Sequence, residues 1–165
     1  MKTLFVVRHA KSSWGDPGLD DFERPLNERG ERDAPRMGRA LAARGVLPDG
    51  LIASPARRAW STAEILAREM GYAIQAIVAE PKLYGASVAD VLQVIRTLDH
   101  AWQSAMILGH NPTFTTLVNT IANAHIDNVP TCGVAEIQMS SETWADFGKV
   151  QGELKTFEFP RNLPS

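Results

Sequence analysis

The sequence predicts an α/β protein: a single three-layer domain over residues 1–165, with a mostly parallel central sheet and helices on both faces. Three observations carry that expectation. Short apolar runs at 3–7, 51–53 and 105–108 have the length and composition of buried strands. Amphipathic stretches of helical period alternate with them, as layered α/β folds require. The 165 residues, 44% of them hydrophobic, are also enough for one well-formed core.

The elements follow in order. The first strand, 3–7, leads into Arg8-His9 and then a long polar loop, 10–26, in which Trp14, Phe22, Pro25 and Leu26 are expected to act as anchors. Asn27 is the expected N-cap of a first helix that ends near Gly45, with Ala34, Met37 and Leu41 on one face. Pro35 falls inside it, so a bend or a late start is expected. Ser54 and Pro55 read as N-cap and first residue of a second helix that runs to about Met70 and stops at Gly71. Residues 72–79 read as a strand, and 87–98 as a helix with Val88, Val91, Leu92 and Ile95 inward. Asn111 and Pro112 repeat the opening device for a fourth helix, which buries Phe114, Leu117, Val118 and Ile121. Segments 134–139 and 144–147 suggest a hairpin, with a further short strand near 154–159.

Charge and cysteine content exclude several classes of function. A net charge of −2 gives no global basic field for nucleic acid, so any phosphate recognition must come from local cations. Cys132 is the sole cysteine, which excludes an internal disulfide and a cysteine-rich metal site. No leader-like pattern follows Met1, and no apolar stretch approaches the ~18 residues of a membrane span. A cytoplasmic protein without nucleic-acid or membrane partners is expected. The oligomeric state is left open.

The chemistry sits at the strand exits. Arg8-His9 follows the first run, Ser54-Pro55-Ala56-Arg57-Arg58 the second, and Gly109-His110-Asn111-Pro112 the third. Ligands of open α/β sheets bind outside the carboxyl ends of the strands, where helix N-termini favour anions. If the three runs are parallel neighbours, their ends gather arginines and two histidines around one crevice. An arginine fork can grip two phosphoryl oxygens, and a neutral imidazole is a covalent nucleophile. Nearby cations would hold His9 neutral by like-charge repulsion and stabilise charge on the transferring group. Each feature alone is commonplace; their coincidence at three strand ends is what points to a phosphate pocket. Arg57 reads as a solvated charge, and His100 as a complement to a helix dipole.

These residues match a known pattern. Arg8-His9-Ala10, with Ser12 and Trp14 following, resembles the Arg-His-Gly opening of the histidine phosphatase (phosphoglycerate mutase-like) superfamily. Ser54-Pro55-Ala56-Arg57-Arg58-Ala59-Trp60-Ser61-Thr62-Ala63 is similar to its Ser-Pro-x-x-Arg-Ala-x-x-Thr-Ala segment, a register that selects Arg58 over Arg57. Gly109-His110-Asn111-Pro112 resembles the segment of its second histidine, and Pro25-Leu26-Asn27 the opening of its first helix. Chain length and the stretch 80–87 are most similar to the SixA branch of phosphohistidine phosphatases. The resemblance implies a phosphoglycerate mutase-like fold and a hydrolase without metal or other cofactor. It also implies that His9 is the nucleophile and that Arg8, Arg58, His110 and Ser12 hold the phosphate. Ala10 stands where the family has Gly, so crowding beside the nucleophile is expected.

A carboxylate that protonates the leaving group is harder to place. Glu80 is the first candidate, with a solvated loop charge as its alternative role; Asp16 and Asp90 come behind it. Expelling an alkoxide benefits strongly from such an acid, whereas an imidazole leaves more readily. The expected substrate is therefore a phosphohistidine carried by a partner protein. The alternatives are a small phosphomonoester, favoured by Lys11 and Arg24 in the loop, and a non-catalytic phosphate-binding protein.

Overall fold

β1 (Lys2–Arg8) lies inside a six-stranded sheet of order β3-β2-β4-β1-β5-β6, completed by β2 (Gly50–Ala53), β3 (Val78–Ala79), β4 (Ser104–Gly109), β5 (Val134–Met139) and β6 (Glu153–Glu158). The computed structural model describes residues 1–164. The first four strands of that order run parallel, and β5 and β6 are antiparallel additions on the β1 side. The three apolar runs of the sequence are thus adjacent: β2, β4 and β1 pair in register, with Ala53 beside Leu108 and Arg8 beside Gly109. Their carboxyl ends open at one edge of the sheet.

Side chains of a strand alternate between faces, and here they feed two cores. Leu4, Val6, Ile52, Ile107 and Ile137 pack with α3 (Val88–Arg96) and α4 (Thr113–Ile121). Phe5, Val7, Leu51, Met106 and Leu108 pack with α1 (Glu28–Ala43) and α2 (Arg57–Met70). Helices therefore cover both faces, as expected. Each face buries a continuous apolar layer, worth about 25 cal/mol per Å² removed from water. No described helix is long and apolar enough to cross a membrane.

Several local expectations hold. Asn27 caps α1 by accepting from Gly30 N at 2.9 Å. Ser87 caps α3 in a reciprocal box with Asp90, which assigns that carboxylate to the helix end. Gly71 ends α2 at φ 81°, a left-handed conformation that favours glycine. Gly30 packs so tightly on the Lys11 carbonyl that a Cβ would collide with it, which fixes α1 against the loop after His9.

Others are corrected. α1 runs through Pro35 without a break. One lost hydrogen bond is outweighed by burial of Ala34, Met37 and Leu41 on either side of it. α2 begins at Arg57 with Ala56 as its cap, so Ser54 is two residues outside the helix. α4 starts at Thr113, and Asn111 caps it from one residue further out, its Oδ1 accepting from Thr115 N at 3.1 Å. The expected strand 72–79 is reduced to Val78–Ala79 after a 3-10 turn, Ile74–Ala76. Residues 144–147 are not a strand: Trp144–Asp146 is a 3-10 turn, because Trp144 and Phe147 turn inward and stack together in the core. β5 pairs with β6 instead. His100 lies beyond the end of α3, and its carbonyl accepts from the buried Lys2 ammonium at 2.9 Å.

Candidate active site

The backbone around His9 is tied down from three sides. Its N–H donates to Gly109 O at the end of β4, at 3.1 Å. Cys132 N, in the turn before β5, donates to both Arg8 O and His9 O at 3.0 Å, and Cys132 holds φ 61° to do so. Ala10 N donates to Thr62 Oγ1 at 3.0 Å, and that hydroxyl donates in turn to Arg58 O at 2.7 Å. Thr62 therefore couples the turn after His9 to the first turn of α2. Ala10 does not take up a left-handed conformation and joins the buried α1/α2 core, so the expected crowding does not arise.

Four of the expected residues converge. The His9 and His110 rings lie 5.2 Å apart, centroid to centroid, tilted by 53°. Arg8, His9, Arg58, His110 and Ser12 line one cavity of about 250 Å³. Arg58 is buried, whereas Arg57 is exposed, as the register requires. Arg8 Nη1 donates to Val129 O at 3.0 Å. His110 Nε2 shares a hydrogen bond of 2.8 Å with Ser54 Oγ, so Ser54 supports an imidazole rather than capping a helix. Gly109, just before it, lets the Phe114 ring pack on the end of β4, because a Cβ there would lie 2.5 Å from that ring. A larger cavity, of about 600 Å³, lies elsewhere between α1 and the C-terminal segment. It offers no histidine, and its Arg36 is already bonded to the Pro160 and Leu163 carbonyls.

Burial shapes the electrostatics more than the cations do. His9 is held down to about 3, first by burial, which outweighs the opposing hydrogen bond to Ala10 O, and then by the neighbouring His110 ring and the Arg58 and Arg8 guanidinium groups. His110 falls to about 4, again first by burial and then through Arg58. The sequence-based emphasis on cation repulsion is corrected accordingly. His9 Nδ1 lies 2.7 Å from Ala10 O. A carbonyl can only accept, so Nδ1 carries the proton and a neutral His9 keeps its lone pair on Nε2. Arg8 Nε and His110 Nδ1 are buried without a hydrogen-bond partner. The site thus keeps bonding capacity that the chain itself does not use.

The carboxylates are arranged differently from expectation. Glu80 is outside the cavity lining, and its Oε1 accepts from Lys82 N at 3.0 Å, capping a 3-10 turn. Asp16 accepts from Gly18 N in the exposed loop. The acid beside the site is Asp21, which sequence reasoning missed. Its Oδ2 accepts from Arg58 Nη2 at 2.9 Å and from the Tyr84 hydroxyl at 2.7 Å, and its Oδ1 from Arg24 Nη1 at 2.7 Å. The Tyr84 hydrogen bond first, then Arg24 and Arg58, hold it well below the usual carboxylate range. The signal available in the sequence was the run Asp20-Asp21 shortly before Arg24. Lys11 and Arg24 do line the cavity. Trp14 is 75% exposed rather than an anchor, its ring 3.3 Å from the Arg24 guanidinium carbon. Among the described residues, no group of three or more His, Cys, Asp or Glu side chains could hold a metal ion.

Comparison with known proteins fits this geometry. The model of the histidine phosphatase superfamily (branch 1) matches residues 4–91. The chain is 31% identical over 165 residues to an uncharacterized protein of Mycobacterium tuberculosis, covering 94% of this chain and 100% of that protein. An uncharacterized chloroplastic protein of Arabidopsis thaliana is 27% identical over 92% of this chain and 72% of its own length. The protein belongs to the histidine phosphatase superfamily, and that family supports a phosphatase. Within the superfamily it is similar to solved SixA structures. SixA from Agrobacterium tumefaciens is 29% identical with a TM-score of 0.79, over 95% of this chain and 97% of that one. A protein histidine phosphatase SixA complexed with tungstate shares the fold, with a TM-score of 0.83 at 20% identity over 98% and 99% of the two chains.

Proposed function

We propose that residues 1–165 form one metal-independent phosphatase domain that works through a phosphohistidine on His9, with phosphohistidine of a partner protein as its substrate. The carrying observation is the pair of imidazoles, His9 buried and His110 half-buried, whose rings lie 5.2 Å apart in one cavity that Arg8 and Arg58 also line. In the first step His9 Nε2 attacks phosphorus as the P–N bond of the substrate breaks; the substrate ring, protonated on its other nitrogen, departs with the bonding pair as neutral imidazole, and His9 keeps its Nδ1 proton. In the second, water attacks phosphorus, inorganic phosphate leaves and His9 is restored. Arg8, Arg58 and His110 offer positive or donor groups to the equatorial oxygens, where charge accumulates during transfer. Ser12 is assigned to the same cradle, with its hydroxyl already bonded to Arg24.

The state of the carboxylates supports the choice of substrate. Glu80 is occupied by a backbone amide, and Asp21 is held ionised, so neither is set to protonate an alkoxide. A leaving imidazole makes less demand on such an acid. Lys11 and Arg24 at the cavity wall favour a second reading, a small polyanionic phosphomonoester. Rapid quenching with a chromogenic phosphate ester tests the chemistry: acid-labile phosphate on His9 is expected, and label on another residue overturns it. A panel of a phosphohistidine protein, phosphoserine peptides and small phosphate esters tests the substrate class. Faster turnover of either ester group would reject the phosphohistidine assignment.

A further inference from the structure

Arg58 is not held by α2 alone. Both of its terminal nitrogens are engaged by one residue of the loop 10–26: Nη1 donates to Asp21 O at 2.6 Å, and Nη2 to Asp21 Oδ2 at 2.9 Å. The opposite oxygen of the same carboxylate accepts from Arg24 Nη1 at 2.7 Å. Tyr84 completes the arrangement, its hydroxyl donating to Oδ2 at 2.7 Å. Its ring packs edge-on against both Phe22, the neighbour of Asp21, and His110. Arg24 is fixed at its remaining edges by Ser13 O and the Ser12 hydroxyl, and on its face by Trp14. Asp21 is thus the one anion that joins two guanidinium groups lining the cavity, while the carboxylate itself stands outside the lining.

We infer that Asp21 is a positioning residue: its carboxylate braces Arg58 and Arg24 from behind, so that both guanidinium groups meet the phosphoryl group at a fixed angle and spacing. This rests on the phosphatase reading above. Two of the five N–H groups of Arg58 are committed to Asp21, which leaves three for a ligand. An arginine side chain carries several free torsions, and immobilising it in advance removes an ordering cost that would otherwise fall on substrate binding. The brace also explains the shape of the loop. A short 3-10 turn, Asp21–Glu23, brings the carboxylate under Arg58 and returns the chain through Arg24 towards α1. A competing possibility is that Asp21 occupies the phosphate position and must leave. The two make opposite predictions for oxyanion affinity.

The test compares wild type with Asp21→Asn, Asp21→Glu and Tyr84→Phe, reading kcat and KM on a chromogenic phosphate ester, the Ki of inorganic phosphate, and Tm. With the brace, Asp21→Asn raises both KM and the phosphate Ki about tenfold, a change of ~1.4 kcal/mol, with Tm close to wild type. Asp21→Glu recovers part of the loss, because it restores the charge at an altered reach. Tyr84→Phe keeps the ring and loses only the hydroxyl, and it moves the phosphate Ki in the same direction by about threefold. An unchanged or tighter phosphate Ki in Asp21→Asn overturns the inference. If that variant does not fold, an unchanged Ki in Tyr84→Phe does so. Absence of phosphate on His9 in the wild type would reject the covalent mechanism instead, while leaving the phosphate Ki comparison intact.

Discussion

The cavity has two walls built on different principles. One is made by the ends of β1, β2 and β4, whose register alone brings Arg8, His9 and the His110 segment together. Its backbone is held by Gly109, Cys132 and Thr62, and the His110 ring by Ser54. The other wall is the loop 10–26, which lies outside the six-stranded sheet and relies on a few polar contacts, with Arg24 at the centre and Asp21 reaching out to Arg58 and Tyr84. The lesson is a division of labour. The strand wall supplies the proposed reacting groups, whose position is over-determined, and the loop wall supplies charges whose position depends on a few exchangeable hydrogen bonds. A site with one rigid and one adjustable wall can hold its chemistry constant while its grip on substrate is tuned.

Substitutions in the two walls should therefore fail in different ways. On the strand wall, His9→Ala is expected to lower turnover by about 10³-fold or more, since no other group can take its place as nucleophile. Steady-state assays at matched Tm check this: retained turnover would remove His9 as the nucleophile, and absence of turnover in the wild type would favour a non-catalytic phosphate binder. Arg58→Ala, on α2 where the two walls meet, removes a donor from the developing charge and is expected to cost about 10²-fold in kcat. On the loop wall, Arg24→Ala should cost about tenfold, chiefly in KM. Trp14→Ala loses only the stacking contact that holds Arg24, worth about 0.5–1 kcal/mol, and should raise KM by a few-fold. If the loop substitutions damaged kcat as severely as those at the strand ends, the contrast between the walls would collapse.

Acid sharpens the same contrast. His9 and His110 sit at about 3 and about 4, below the ordinary value of 6.5. Between 6.5 and those values the unfolded chain binds protons that the folded strand wall refuses, so stability falls as pH is lowered through that window. Denaturant titrations of wild type and a His9→Gln/His110→Gln variant should show a shallower pH slope in the variant. Thr62→Val acts on stability rather than on binding, because it leaves Ala10 N without its acceptor. A loss of about 1–3 kcal/mol of stability should appear in the denaturant midpoint.

The strand wall was legible in the sequence and the loop wall was not, for physical reasons. Apolar runs that end on Arg8-His9 and Gly109-His110 declare both the strand and its chemistry, because burial fixes register and register fixes the exit. Asn27 and Gly71 could be read because capping is a local interaction. Ser54 was misread because a Ser-Pro pair looks the same whether it caps a helix or turns towards a histidine. Residues 144–147 misled because an inward-facing Trp-x-x-Phe fits a strand edge as well as a 3-10 turn. Asp21 and Tyr84 meet across 63 positions of sequence, and neither has a periodic pattern to announce it. Glu80 was favoured for its place before a helix, although a backbone amide two residues on claims its side chain.

Cys132 has a practical consequence. Its thiol is fully buried, and burial first, then Asp33, pushes it up to about 12. Thiolate is the form that reacts with alkylating agents and peroxide. Neither reagent should touch the native protein on the timescale of an assay, so catalysis here is expected to be indifferent to oxidants that silence thiolate enzymes. Because the Cys132 amide grips the Arg8 and His9 carbonyls, the sulfur can be reached only when that grip is released. The rate of iodoacetamide labelling then becomes a clock for how often the floor beneath the nucleophile comes apart.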